Sequence, residues 1–156
     1  MKFYLASGLD NIENARLFRD ALVNAGHTQT YDWTTHGPVA AHGIERIRQV
    51  AQAEMRGVHD ADVVLAVLRG GRGTHFEMGA AYAAGKPVLV YAPEQSLVSA
   101  HPDTCAFYHL PRVQTFWGSA DECIPAILLV LKGLEDHSVR AQGPDIILNC
   151  ACDSGG

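Results

Sequence analysis

A chain of 156 residues with 47% hydrophobic and 19% charged residues suits one folded domain and argues against disorder. No run of 18 apolar residues occurs, so no membrane-spanning helix is expected. The net charge is −5 without a basic block, which argues against a nucleic-acid polymer as partner. Arg46, Arg48 and Arg56 read instead as a solvated helix face.

The first predicted element is a buried strand, "FYLAS", residues 3 to 7, feeding a Ser-Gly loop. The start "MKFYLASGLDN" is a poor signal peptide, so a cytoplasmic protein with reduced thiols is expected. "NIENARLFRDALVNAG" follows as a helix. Its stripe is Ile12, Ala15, Leu17, Phe18, Leu22 and Val23, and Gly26 is its stop. "TQTYDW", 28 to 33, reads as a second strand and "TTHGPVAAHG" as a loop. A helix fits 44 to 58, with Ile47, Val50, Ala51 and Val58 on its buried face.

"DVVLAVL", 62 to 68, is unbroken and β-branched, as in a strand covered on both sides. A Gly-rich turn, a small-residue helix "HFEMGAAYAAG" and the strand "PVLVYA", 87 to 92, come next. "AFYHL" and "VQTFW" offer one further strand or two short ones. "ADECIPAILLVLKGL", 120 to 134, is a last helix with Pro125 in its first turns. Residues 1–135 therefore form one α/β domain. In the tail 136–156, "DIILNC" reads as an added strand or an arm docking on a neighbouring subunit.

Strands alternating with helices imply right-handed βαβ units. Five strands suit a flavodoxin-like (Rossmann-like) doubly wound parallel sheet, order 2-1-3-4-5, with helices on both faces. Ligands on such sheets bind at the carboxyl ends of the strands, near the switch point between strands one and three. Cys105, Cys123, Cys150 and Cys152 make no C-x-x-C pair, and the eight histidines no H-E-x-x-H. No metal and no cofactor is expected.

The turn "RGGRGTHFEMG", 69 to 79, is neither a Walker loop nor G-x-G-x-x-G. Gly70, Gly71 and Gly73 suit positive φ and close approach of a ligand. The helix after them offers free N–H groups to an anionic or multi-hydroxyl ligand. Two roles for Glu77 stand open. In a capping box, Thr74 caps the helix and Glu77 satisfies a backbone N–H. In a catalytic turn, Glu77 is a nucleophile.

Glu54 shares a helix face with Ile47, Ala51 and Val58, so it points inward, where a lone charge is costly. It has a job there, or an ion pair with Arg72 or Arg16. Two inward carboxylates beside a Gly-rich turn suggest glycosyl chemistry, in which one attacks the anomeric carbon and the other manages protons. Tyr4 fits either an orienting hydrogen bond to the nucleophile or core filling. Ser7 and Gly8 end the first strand in the same crevice. Trp33 suits stacking on a nucleobase or packing, and His75 contact with a base or phosphate. Ser96 and Ser99, after strand four, are placed to reach a neighbouring subunit's ligand. His59, Asp60 and Asp62 read as a helix stop and strand lead-in, away from the crevice.

The tyrosine of "YLASG", the acidic residue eight positions before "ADVV" and the stretch "GTHFEMGAAYAAGKPV" resemble the nucleoside 2-deoxyribosyltransferase family and its relatives, the 2'-deoxynucleoside 5'-phosphate N-hydrolases. The resemblance implies that Glu77 is the nucleophile, that Glu54 stands where the family has an Asp, and that Tyr4 positions the nucleophile. It implies a small-molecule nucleoside or nucleotide substrate, a covalent deoxyribosyl intermediate, and a homodimer or higher homo-oligomer. Gly71 stands where the transferases have Asp and the hydrolases Ser. Asp10 stands near the place of a phosphate-binding arginine, a charge that Arg72 could replace. G-G-x-G-T-x-x-E also resembles the cytokinin-activating phosphoribohydrolases. A third reading, from another class, is a non-catalytic nucleotide-binding or sensor module.

Overall fold

A computed structural model of the protein describes residues 1–138. Five parallel strands form one sheet: β1 (Lys2–Ala6), β2 (Thr28–Gln29), β3 (Val63–Val67), β4 (Val88–Ala92) and β5 (Val113–Trp117), in the order β2-β1-β3-β4-β5. The architecture is α/β and flavodoxin-like, as the alternating pattern predicts. Among the described residues four α-helices connect and flank the strands: α1 (Ile12–Asn24), α2 (Gly43–Asp60), α3 (Arg72–Ala83) and α4 (Ala120–Ser138). α1 packs beside α4, and α2 beside α3.

β3 and β4 are buried at every residue because helices cover both faces. Tyr4 of β1 lies opposite Val64 of β3, and Ala6 opposite Ala66. Beyond that register the two strands part. Ser7 donates its Oγ hydrogen to the Val67 carbonyl at 2.7 Å, and Asn11 Nδ2 donates to Ser7 Oγ at 3.1 Å. The switch-point crevice opens there. Leaving α1, Gly26 takes φ +92°, which a side chain would resist.

Several expectations change. The second strand is only two residues long, because residues 30 to 33 are drawn into other bonds. Thr30 Oγ1 donates to the Gly57 carbonyl (2.7 Å), and Asp32 accepts from the Thr34 N–H (3.0 Å) to cap a 3-10 turn, Trp33–Thr35. "AFYHL" is not a strand. Ala106–His109 is a 3-10 turn that brings Tyr108 to His75, and "VQTFW" alone forms the fifth strand.

In α1 Ala15, Phe18 and Leu22 are buried and Ile12 packs partly buried against the core, while Leu17 (45% exposed) and Val23 (47%) look outward. A single helix face meets the sheet, and the spacing of three and four selects it. The buried residues of α2 are Val50, Gly57 and Val58; Ile47 and Ala51 lie at the surface instead. α4 tolerates Pro125 at its sixth residue and runs past 134 to Ser138. Glu135, on that extension, accepts from the amino group of Met1. Asp62 holds the Lys2 N–H at 2.7 Å, which gives the strand lead-in a structural anchor. The segment "DIILNC", Cys150 and Cys152 lie outside the described residues.

Candidate active site

Tyr4 is the third residue of β1 and fully buried. Its hydroxyl donates to Glu77 Oε1 at 2.6 Å. Glu77 is the sixth residue of α3, 7% exposed, one and a half turns in from the Gly-rich turn. Its carboxyl is pushed up to about 8 in all: burial raises it most, the Tyr4 bond holds it back, and the nearby charge of Glu54 adds to the rise. Tyr4 is itself raised far above an ordinary phenol, first by burial and then by Glu77, so it remains a donor. This geometry favours an orienting hydrogen bond over simple core filling.

The capping-box alternative fails. The N-cap of α3 is Gly71, not Thr74, because Gly71 (φ −91°, ψ −163°) is the last extended residue and helical geometry begins at Arg72. Thr74 is then the third helical residue and has nothing to cap. Its Oγ1 is buried without a hydrogen-bond partner. The expected positive φ at Gly70, Gly71 and Gly73 is also absent. These glycines matter for space. A Cβ on Gly70 would come within 2.5 Å of Thr74 Oγ1 and Cγ2, whereas one on Gly71 or Gly73 would meet nothing within 4 Å.

Glu54 comes from α2 and is half-buried. Its carboxyl is raised by burial and lowered by the facing charge of His36. Among the described residues it makes no ion pair, which removes the alternative reading of its inward placement. Arg16 is engaged with Glu13 (3.2 Å) and the Thr34 carbonyl (2.9 Å), and Arg72 is exposed.

Glu54 and Glu77 line one cleft of about 230 Å³ together with Ser7, Trp33, Gly73 and Thr74. The surface face of α2, Ile47 and Ala51, forms its apolar wall. Trp33 sits in the 3-10 turn rather than at a strand end. Its Nε1 donates to the Leu5 carbonyl at 2.7 Å, so the indole is fixed as part of the wall. Gly8 packs against the 69–71 backbone. Gly71 and Arg72 stand at the mouth of α3, outside the lining. His75 is turned away: its Nε2 bonds the Tyr108 hydroxyl at 2.8 Å and its ring stacks on Tyr108.

The sequence reading missed His36, Gly37, Val39 and Leu9, which also line the cleft. "THGPV" follows the second strand at its carboxyl end, the same rule that located the other loops. His36 Nε2 lies 3.1 Å from the Tyr31 hydroxyl. Gly57 was missed as well.

An enclosed carboxyl oriented by a phenol, and a second carboxyl across an apolar cleft, can support nucleophilic attack with proton transfer. Residues 3–136 match the family described as nucleoside 2-deoxyribosyltransferase. The chain belongs to this family. No curated protein matches the sequence. As a member of the nucleoside 2-deoxyribosyltransferase family, the protein is placed among enzymes of deoxyribosyl transfer or hydrolysis that act on small nucleoside substrates. Among the described residues no helix is long and apolar enough to cross a membrane. None of their His, Cys, Asp and Glu side chains form a group of three or more that could hold a metal ion.

Proposed function

We propose that the protein cleaves the N-glycosidic bond of a 2'-deoxynucleoside or its 5'-monophosphate through a covalent deoxyribosyl-Glu77 intermediate. The observation that carries this reading is the buried Tyr4–Glu77 hydrogen bond at 2.6 Å, in a cleft shared with Glu54. A Glu77 carboxylate oxygen attacks C1'. The C1'–N bond breaks, and its electron pair goes to the base, which takes a proton from the Glu54 carboxyl. Burial favours the protonated form of Glu54 at the start. In the second half, Glu54 as carboxylate takes a proton from water or from an incoming base. That nucleophile attacks C1', and Glu77 leaves as carboxylate. The configuration at C1' is retained.

A specific observation favours the 5'-monophosphate. The first N–H groups of α3 are uncapped by any side chain, and the buried Thr74 hydroxyl beside them has no partner. Such a hydroxyl is costly to bury alone, and a phosphate at the helix start would satisfy it. Arg72 at the same helix start supplies charge. The protein acts as a homo-oligomer in this reading, with Ser96 and Ser99 of a neighbouring copy near the phosphate.

Chromatography of the four deoxynucleosides and their 5'-monophosphates, each with and without a second base, tests the reading. Free base should appear from at least one substrate and disappear with Glu77→Ala. Exchange with the added base marks a transferase; its absence marks a hydrolase. Thermal stabilisation by nucleotides without any base release, unchanged in Glu77→Gln, would instead identify a sensor module.

A further inference from the structure

Gly57 is one point at which α2 packs on β1. Gly57 is the only glycine of α2 beyond its first residue, and it is buried. A Cβ there would lie 2.7 Å from Tyr31 Cβ, 2.9 Å from Tyr4 Cδ2 and 3.0 Å from Tyr4 Cε2. Contacts of that kind are shorter than packed side chains accept. Neither neighbour can easily give way. Tyr31 Cβ is fixed to the backbone, and the Tyr4 ring is wholly enclosed. The Gly57 carbonyl is held too, by Thr30 Oγ1 at 2.7 Å and by the Ala61 N–H at 3.2 Å. Gly57 also lies three residues after Glu54, on the same side of α2.

We infer that Gly57 is a positioning residue for Glu77, acting through Tyr4: its missing side chain lets α2 press the phenol into line with the carboxyl. The same contact sets how near Glu54 comes to Glu77, so a single glycine fixes both relations. This rests on the proposed role of Glu77 as nucleophile. The groups that act on the Glu77 charge are Tyr4 from β1 and Glu54 from α2.

The test follows the Glu77 carboxyl by carbon-13 NMR titration in the full-length protein, without substrate, alongside base release. Gly57→Ala should displace the phenol, weaken its bond to Glu77 and raise the titration midpoint by about one pH unit. At pH 7, kcat/KM should fall about tenfold. Tyr4→Phe should do the same, and Gly57→Ala should add little more in that background. If Gly57→Ala does not fold, the same comparison is made in Tyr31→Gly, where only the Tyr4 ring faces the new methyl.

An unmoved titration midpoint, or effects that multiply with Tyr4→Phe, overturns the inference. Failure of the underlying reading looks different: Glu77→Gln would keep full base release, whatever Gly57 does to the titration.

Discussion

The cleft has two unlike sides. Its floor is β1 and α3, where Tyr4 and Glu77 are enclosed and bonded to each other. Its wall is α2 and the 33–39 segment, where Glu54 is half-buried without an ion pair among the described residues and Ile47 is 37% exposed. The floor is built from a central strand and a helix that cannot shift without disturbing the sheet. The wall is held by side-chain bonds from α1 and from Thr30, just after β2. The difference suits a division of labour under the proposed mechanism: the floor would orient the reacting carboxyl, and the wall would receive the leaving base and manage its proton.

The largest expected effect lies on the floor. Glu77→Ala should lower base release by about 10³-fold or more, because no other carboxyl occupies that position. Rapid quench followed by mass measurement should find a deoxyribosyl adduct in the wild type alone. Glu54→Gln comes next, with a loss of about 10²-fold in kcat. A substrate whose base leaves without protonation should recover most of that loss. If it recovers none, the wall does not manage the proton and the comparison breaks.

The floor was largely legible in the sequence. "FYLAS" and "DVVLAVL" read as buried strands, and the switch-point rule placed Tyr4 and the Gly-rich turn in one crevice. Glu54 was found because its helical spacing put a charge among apolar residues. That same spacing misled about depth. Ile47 and Ala51 are apolar because they face a cleft, not the core, and periodicity cannot separate the two. The wall was less legible because it depends on distant bonds. Asp32 and Trp33 read as strand until Arg19 and Leu5 are seen to hold them. The start of α3 was misplaced because Thr-x-x-Glu fits a capping box as well as it fits two helical positions of a site.

The pH dependence sharpens the contrast. The step needs Glu77 as carboxylate and Glu54 protonated, and both carboxyls are raised, so kcat/KM should pass through a maximum with pH and fall on either side of it. Stability should change in one direction only. The folded state holds the Glu77 proton more tightly than the unfolded chain does. Between about 4.5 and 8 the native state therefore binds more protons, and stability falls as pH rises. Glu77→Gln removes that loss. It should raise Tm by several degrees at pH 8 and much less at pH 5. A gain of equal size at both values would mean that the floor does not hold a strained charge.

The smallest effect belongs to the wall's outer support. Asp32 Oδ1 accepts from the Thr34 N–H (3.0 Å) and hydroxyl (2.6 Å), and Arg19 Nη1 donates to Oδ2 at 3.0 Å. Asp32→Ala removes a cap worth about 1 kcal/mol and loosens the turn that carries Trp33. The indole keeps its bond to Leu5, so the wall should lose precision rather than collapse. KM should rise by less than about tenfold with kcat nearly unchanged, the mark of binding lost equally from ground and transition states. Glu77 should titrate as in the wild type, because none of these bonds reaches Tyr4. If kcat falls as it does in Tyr4→Phe, the 33–39 turn orients the reacting groups as well, and wall and floor act as one unit.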